Sequence, residues 1–203
     1  MTAFARRTVL AALALAPTGC VSLLPASNKA PQLFRLTAAS DFPAQAPHVS
    51  WQLLVDTPQS PAALDSDRIA LSRSPTTVDY FADAAWDDRA PTLVQSLLVQ
   101  SFENSGRITA IARESLALRE DYVLRPELRH FEAVYDGDGP PTARVLLAAK
   151  LVKMPERVIV ARHSADTATR ASANRVDAVV EAFDTALHQA LRETVDWALE
   201  AGR

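Results

Sequence analysis

The sequence predicts an α/β fold of the α+β kind, a two-layer sandwich in which two main helices cover one face of a mixed, mostly antiparallel sheet. Three observations carry this expectation. Eight short segments read as strands, two amphipathic stretches follow the fourth and the eighth of them, and the strands in the third quarter of the chain are joined by turns. A chain of 203 residues, 48% hydrophobic and 22% charged, has the length and composition to bury one sizeable core.

The elements follow in order. "QLFRL" at 32–36 reads as a short first strand, and "VSWQLLVD" sets Val49, Trp51, Leu53 and Val55 on one face by strict alternation. After the loop "PQSPAALDSD", the segments "RIALSR" and "VDYFA" form strands around the turn "SPTT". In "RAPTLVQSLLVQSFENSG" the residues Leu93, Val94, Leu97, Leu98 and Phe102 share a helical face, Pro91 suits the first turn and Gly106 the C-terminal cap. "RITAIAR" is the next strand. "DYVLRPELRHFEAVYD" is a longer one, in which Pro126 calls for an interruption, an edge position or a bulge. The turn "DGDGPP" leads to "TARVLLAAKLVKM", and "RVIVARHSA" follows Pro155, so these three strands predict an antiparallel meander. From Asn174 to about Leu199, Val176, Val180, Phe183, Leu187, Leu191 and Val195 recur at three- and four-residue steps. That long helix has Asn174 as its expected N-cap with Asp177 at N3, and Trp197 on the flank of its stripe is expected to pack on the sheet.

The N-terminus has a different character. Arg6 and Arg7 precede the apolar run Thr8 to Ala16 and the small residues Thr18 and Gly19, the layout of a signal peptide. The run is short of the about 20 residues that span a bilayer. The chain is thus expected to divide into a signal peptide at 1–19, a flexible tether at 20–31 and one folded domain at 32–203. Cys20 is the sole cysteine, so it forms no internal disulfide, and with four scattered histidines it makes no zinc-like cluster. Preceding the fold, it has no scaffold to activate it as a nucleophile. Thr18, Gly19 and Cys20 resemble the lipobox of bacterial lipoproteins, in which the cysteine thiol takes a diacylglyceryl group and becomes the first residue after cleavage. Pro17 departs from that pattern, which usually has an aliphatic residue there, and a plain secreted protein cleaved near Cys20 is the other reading. The paired arginines also raise a twin-arginine export route, within an incomplete motif.

The net charge of −3 and the lack of a basic stripe argue against nucleic acid as a partner. "DGDG" at 136–139 starts like a calcium loop, but Pro140 and Pro141 follow at once, so a hairpin turn is the better reading. His130 with Glu132, and His163 with Asp166, are the residues that could do acid/base work. No serine sits in a nucleophile elbow and no glycine-rich phosphate loop is present, so no enzymatic activity, metal or cofactor is expected. The stretch "VDYFADAAWDDRAP" is more specific, because it sets Tyr80, Phe81 and Trp86 among Asp79, Asp83, Asp87, Asp88 and Arg89 just before a helix. It suits a strand-to-helix corner, with Trp86 wedged beneath the helix and an aspartate capping its free N–H groups. It equally suits a protein interface of aromatics and arginine.

The combination "RIAL", "VDYFADAAWDDRAPTLVQSLLVQSFENSG", "YVLRPELRHFEAVY", "ARVLLAAKLV" and "VVEAFDTAL" resembles the ABC-type transport auxiliary lipoproteins, from about Leu33 to Trp197. The run with Tyr80, Trp86, Asp87, Asp88, Arg89 and Pro91 is its most specific part. The resemblance implies a periplasm-facing, non-enzymatic accessory of an ABC system with an MCE-domain protein, moving phospholipid or other hydrophobic compounds between inner and outer membranes. It implies an anchor at Cys20, docking on the MCE-type assembly beside its permease and ATPase, and a homo-oligomeric ring. Val21 in place of the aspartate that retains lipoproteins at the inner membrane favours the outer membrane. A tether of roughly ten residues reaches about 15 to 20 Å if coiled, and three acyl chains hold more firmly than one. A structural assembly lipoprotein of another outer-membrane complex is the competing reading.

Overall fold

The computed structural model describes residues 30–43, 48–113 and 120–203. In chain order the elements are β1 (Gln32–Phe34), β2 (Val49–Val55), β3 (Arg68–Ser74), β4 (Thr77–Trp86), α1 (Ala90–Ser105), β5 (Ile108–Ala112), β6 (Tyr122–Val134), β7 (Thr142–Lys153), β8 (Val158–Arg170) and α2 (Val176–Ala201). The expected succession of four strands, a helix, four strands and a long helix is observed.

All eight strands belong to one mixed sheet with β6 as its hub. Along one side β6 pairs antiparallel with β7, and β7 with β8, which is the expected meander. Along the other side two strands share β6. Its first residues pair in parallel with β2, and its last with β3. Beyond β2 lies β5 in parallel; beyond β3 lies β4 antiparallel, then β1 in parallel with β4.

Pro126 falls in the gap between those two partners, which explains how a proline is tolerated inside a central strand. There only Gln59 reaches β6, donating its N–H to the Pro126 carbonyl at 3.0 Å and accepting the Leu128 N–H at 2.7 Å. The missing proline N–H therefore costs no ladder bond. The expectation of an interruption or edge position at Pro126 is corrected: β6 is continuous, and its register shift against β7 comes later, between Leu128 and His130.

Strand alternation sorts the side chains between the two faces. Ala143, Val145, Leu147, Ala149 and Leu151 of β7 are buried in the core shared with α2, which contributes Val179, Phe183, Leu187, Leu191 and Val195. α1 adds Val94, Leu98 and Phe102. At the centre the rings of Trp86, Phe131 and Phe183 lie 5.0–5.5 Å apart in tilted and edge-on pairs. Each large side chain so buried stabilises the fold by about 1.5–3 kcal/mol.

The helix ends follow the sequence in part. Gly106 closes α1 at φ 60°, and its N–H donates to the Glu103 carbonyl. A Cβ there would meet nothing within 4 Å, so backbone conformation alone asks for glycine. The N-cap of α2 is Arg175, not Asn174, and no side chain caps it. Asn174 is engaged elsewhere, accepting the Tyr135 hydroxyl at 2.9 Å, so the expected capping arrangement does not form. At the other end of α2 a Cβ on Gly202 would lie 2.6 Å from the Trp51 ring, so the absent side chain lets the helix terminus close on that indole. Trp197 packs on the sheet as expected, stacked on His163 of β8 with centroids 5.2 Å apart. No described helix is long and apolar enough to cross a membrane.

Candidate interaction surface

The strand-to-helix corner begins at a backbone irregularity. Asp83 adopts φ 54°, a left-handed conformation that aspartate tolerates better than most residues. Around it the β3–β4 register shifts between the pairs Ala70↔Tyr80 and Arg68↔Ala85. The strand expected to end near Ala82 thus continues past a bulge to Trp86, and its last residues turn inward. Ala84, Ala85 and Trp86 are buried and pair with Gln32–Phe34. The Trp86 N–H donates to the Asp67 carbonyl at 2.7 Å.

Beyond Trp86 the chain bends into α1 across a charged rim. The Asp87 N–H donates to the Phe34 carbonyl at 2.9 Å, and its carboxylate accepts from Arg35 Nε at 2.6 Å. Asp88 Oδ1 accepts the Arg89 N–H at 2.6 Å, and the Arg89 guanidinium meets Asp65 at 2.5 Å. Arg89 itself occupies the N-cap position with no side-chain cap bond, and Pro91 is buried in the first turn. The expectation that an aspartate caps α1 is therefore corrected: Asp87 and Asp88 are already committed to Arg35 and to the Arg89 backbone. Tyr80 is half-buried, its hydroxyl donates to the Ala63 carbonyl at 3.0 Å, and Arg68 covers its ring at 3.8 Å.

Apart from the half-buried Tyr80, the corner residues thus fall into two groups. Trp86 and Pro91 belong to the interior, while Asp87, Asp88 and Arg89 form a solvent-facing rim, beside which Leu33 of β1 is 63% exposed. Sequence reading missed Arg35 and Asp65, the ionic partners of that rim, because they come from the segment just after β1 and from the β2–β3 loop, both separated from the rim in sequence. Surface ion pairs such as these are worth about 0–1 kcal/mol, so the rim is free to serve recognition at little cost to the fold.

A second exposed surface is the sheet face away from the helices. Glu127 binds both Lys150 and Arg129 at 2.6 Å, and Arg144 holds Asp166 through two bonds of 2.9 and 3.1 Å. These contacts keep the Glu127 and Asp166 carboxyls below their ordinary values, the first through its hydrogen bond from Lys150, the second through its bond from Arg144. Where β2 parts from β6, a groove lined by Asp56, Arg125, Glu127, Lys150, Arg157 and Ile159 opens on this face. Burial pushes the Asp56 carboxyl up, against the opposing pull of Arg125.

Of the two candidate acid/base pairs, only His130 with Glu132 is brought together. His130 Nδ1 lies 2.7 Å from Glu132 on the open face. His163 lies on the other face against Trp197, its Nε2 buried without a partner among the described residues, and burial lowers its pKa. Asp166, three residues on, necessarily points to the opposite side of the strand and pairs with Arg144. His188 Nε2 meets Asp41 at 2.7 Å on the flank of α2, and His48 is exposed. The "DGDG" segment forms the β6–β7 connection. Cys20 lies outside the described residues.

A family model described as ABC-type transport auxiliary lipoprotein component matches residues 34–195. The chain belongs to that family. This auxiliary lipoprotein is similar to protein XCC0632 from Xanthomonas campestris, a DUF330 protein whose crystal structure aligns with a TM-score of 0.79 at 34% identity, covering 84% of this chain and 96% of that one. A second crystal structure, of an uncharacterized protein, aligns with a TM-score of 0.65 at 13% identity over 84% of this chain and 98% of the other, which shows the fold alone. Protein bll6063 of Bradyrhizobium diazoefficiens is 32% identical over 121 residues, 60% of this chain. The match spans about a third of that relative's length, 32%. The family is that of the auxiliary lipoprotein components of ABC-type transport.

Proposed function

We propose that this auxiliary lipoprotein is a non-enzymatic docking subunit of an ABC/MCE-type system that moves phospholipid or other hydrophobic compounds between the inner and outer membranes. In this reading Cys20 carries the lipid, the segment 20–31 is the tether, and the body at 32–203 is held at the outer membrane. The observation that carries it is the family match over 34–195 together with a corner whose buried half is structural and whose charged half, Asp87, Asp88 and Arg89, is exposed. A docking role is also supported by the make-up of the open-face groove, which presents Asp56, Arg125, Glu127, Lys150 and Arg157 to any visitor. Charged walls suit a protein surface better than an acyl chain.

The test is affinity purification of the full-length chain from its own membranes. Recovery of an MCE-domain protein with an ABC permease and ATPase is the expected result. Recovery with an outer-membrane machine that contains none of these would replace it with the assembly reading. In the same preparation Asp88→Ala with Arg89→Ala is expected to reduce recovery of the partner while leaving thermal unfolding unchanged. Unchanged recovery would exclude the corner as the docking surface. Metabolic labelling with a radioactive fatty acid checks the anchor, and Cys20→Ser should abolish incorporation.

A further inference from the structure

Among the described residues five large hydrophobic side chains are exposed, and three of them are consecutive: Val158, Ile159 and Val160, at 55%, 43% and 44%. They begin β8 just after the turn at 154–157, and β8 pairs on one side only, with β7. Regular alternation would turn at least one of the three toward the core. The register shift against β7, between the pairs Leu151↔Ala161 and Val152↔Ile159, leaves Val160 unpaired and breaks that alternation. Cations surround this run. From Lys150 to Arg162 the chain carries Lys150, Lys153, Arg157 and Arg162 against Glu156 alone, although its net charge over all residues is −3. On the open face Arg125, Lys150 and Arg162 stand directly opposite one another across β6, β7 and β8, an arrangement in which like charges repel. Nearby carboxylates answer only part of this charge: Asp56 lies 3.4 Å from Arg125, and Glu127 is shared by Lys150 and Arg129. Arg157 and Arg162 are exposed and make no ion pair among the described residues.

We propose that the β7–β8 turn and the start of β8 rest on an anionic lipid bilayer, with Val158, Ile159 and Val160 entering the headgroup region and Lys153, Arg157 and Arg162 meeting phosphate oxygens. Exposed aliphatic side chains ringed by lysine and arginine have the make-up of an interfacial membrane contact. Where proteins meet, by contrast, lysine is depleted and aromatic residues are enriched. The contact rests on the anchor at Cys20, and the tether is long enough for it. By strand rise and spacing across β4, β3 and β6, β1 begins roughly 35 Å from the turn. The segment 20–31 spans at most about 40 Å when extended. A body tethered so closely meets the bilayer at high effective concentration, so a weak contact is enough to fix its orientation. β1 and β8 lie at opposite ends of the strand order, so the charged rim of Asp87, Asp88 and Arg89 beside β1 then points away from the bilayer, towards a partner.

The test uses the full-length lipidated chain reconstituted in vesicles, where the acyl chains hold the protein whatever the headgroup. Cys20 is the sole native cysteine and its thiol is consumed by the anchor, so Val158→Cys alone takes a nitrobenzoxadiazole label. In vesicles of equal parts phosphatidylcholine and phosphatidylglycerol, its emission should shift to the blue and rise several-fold over that in phosphatidylcholine alone, and brominated acyl chains should quench it. The same label at Asp138→Cys, on the exposed β6–β7 connection, should not respond. Arg157→Glu with Arg162→Glu should remove most of the response while circular-dichroism melting is unchanged. A label no more shielded in the anionic vesicles than in phosphatidylcholine, which free exposure or cover by another protein would give alike, would overturn the proposal, as would indifference to the charge reversal. Failure of the anchor would show separately, as a chain that does not stay with phosphatidylcholine vesicles.

Discussion

On β7, Val145, Leu147 and Leu151 are fully buried beneath the helices, while their sequence neighbours Arg144, Leu146 and Lys150 lie on the open face among Asp166, His130 and Glu127. One strand serves two environments because successive side chains point to opposite sides. The covered face holds the mutually packed rings of Trp86, Phe131 and Phe183; the open face holds exposed ion pairs. Stability accordingly resides on one side, and the surface that meets other molecules is on the other side and at the edges.

That contrast sets a ranking of expected effects. Phe183→Ala removes a ring from the centre of the aromatic cluster and should cost about 3–5 kcal/mol in urea unfolding. Gly202→Ala forces a methyl group against the Trp51 ring at the end of α2 and should cost about 1–3 kcal/mol, with increased exposure of Trp51 seen in its fluorescence. Thr167→Val keeps the shape of a buried side chain but deletes its hydroxyl bond to the Ala186 carbonyl, for a loss of about 1 kcal/mol by the same measurement. Arg144→Ala on the open face should cost at most about 1 kcal/mol near neutral pH, because its partner Asp166 is half exposed. A loss above that from Arg144→Ala would show that the open face contributes to the fold as the covered face does.

Acid should distinguish the two faces a second time. His163 is held neutral by burial on the covered face, with its pKa below the ordinary 6.5. Its contribution is present above pH 6.5 and is lost as the pH falls toward its folded value, since the unfolded state takes up the proton first. On the open face Asp166 and Glu127 have folded values below their ordinary 3.8 and 4.5, so their contribution is complete above those values and disappears as the pH falls further. Urea midpoints from pH 8 to pH 3 should therefore decline in two stages. Asp166→Asn should reduce only the lower stage, and His163→Phe should remove only the upper one.

The local signals in the chain were enough for the element order, because alternation and helical period are imposed by short-range geometry. Pro91 and Gly106 bounded α1, and the stripe from Val176 to Val195 placed α2 to within two residues at either end. The same signals located the corner at 80–91 and made Trp86 a candidate for the interior. They did not reveal the ionic partners of its charged half, since Arg35 and Asp65 reach the rim only in the folded chain. Nor could they place Pro126 inside a central strand, because tolerance there comes from a gap between β2 and β3 that exists only in the assembled sheet. The run Val158–Val160 reads as a strand in any context, but its position on a free edge follows from the order of the strands. Hydrophobic periodicity is a property of neighbours in sequence, whereas ionic partners, gaps and edges belong to neighbours in space.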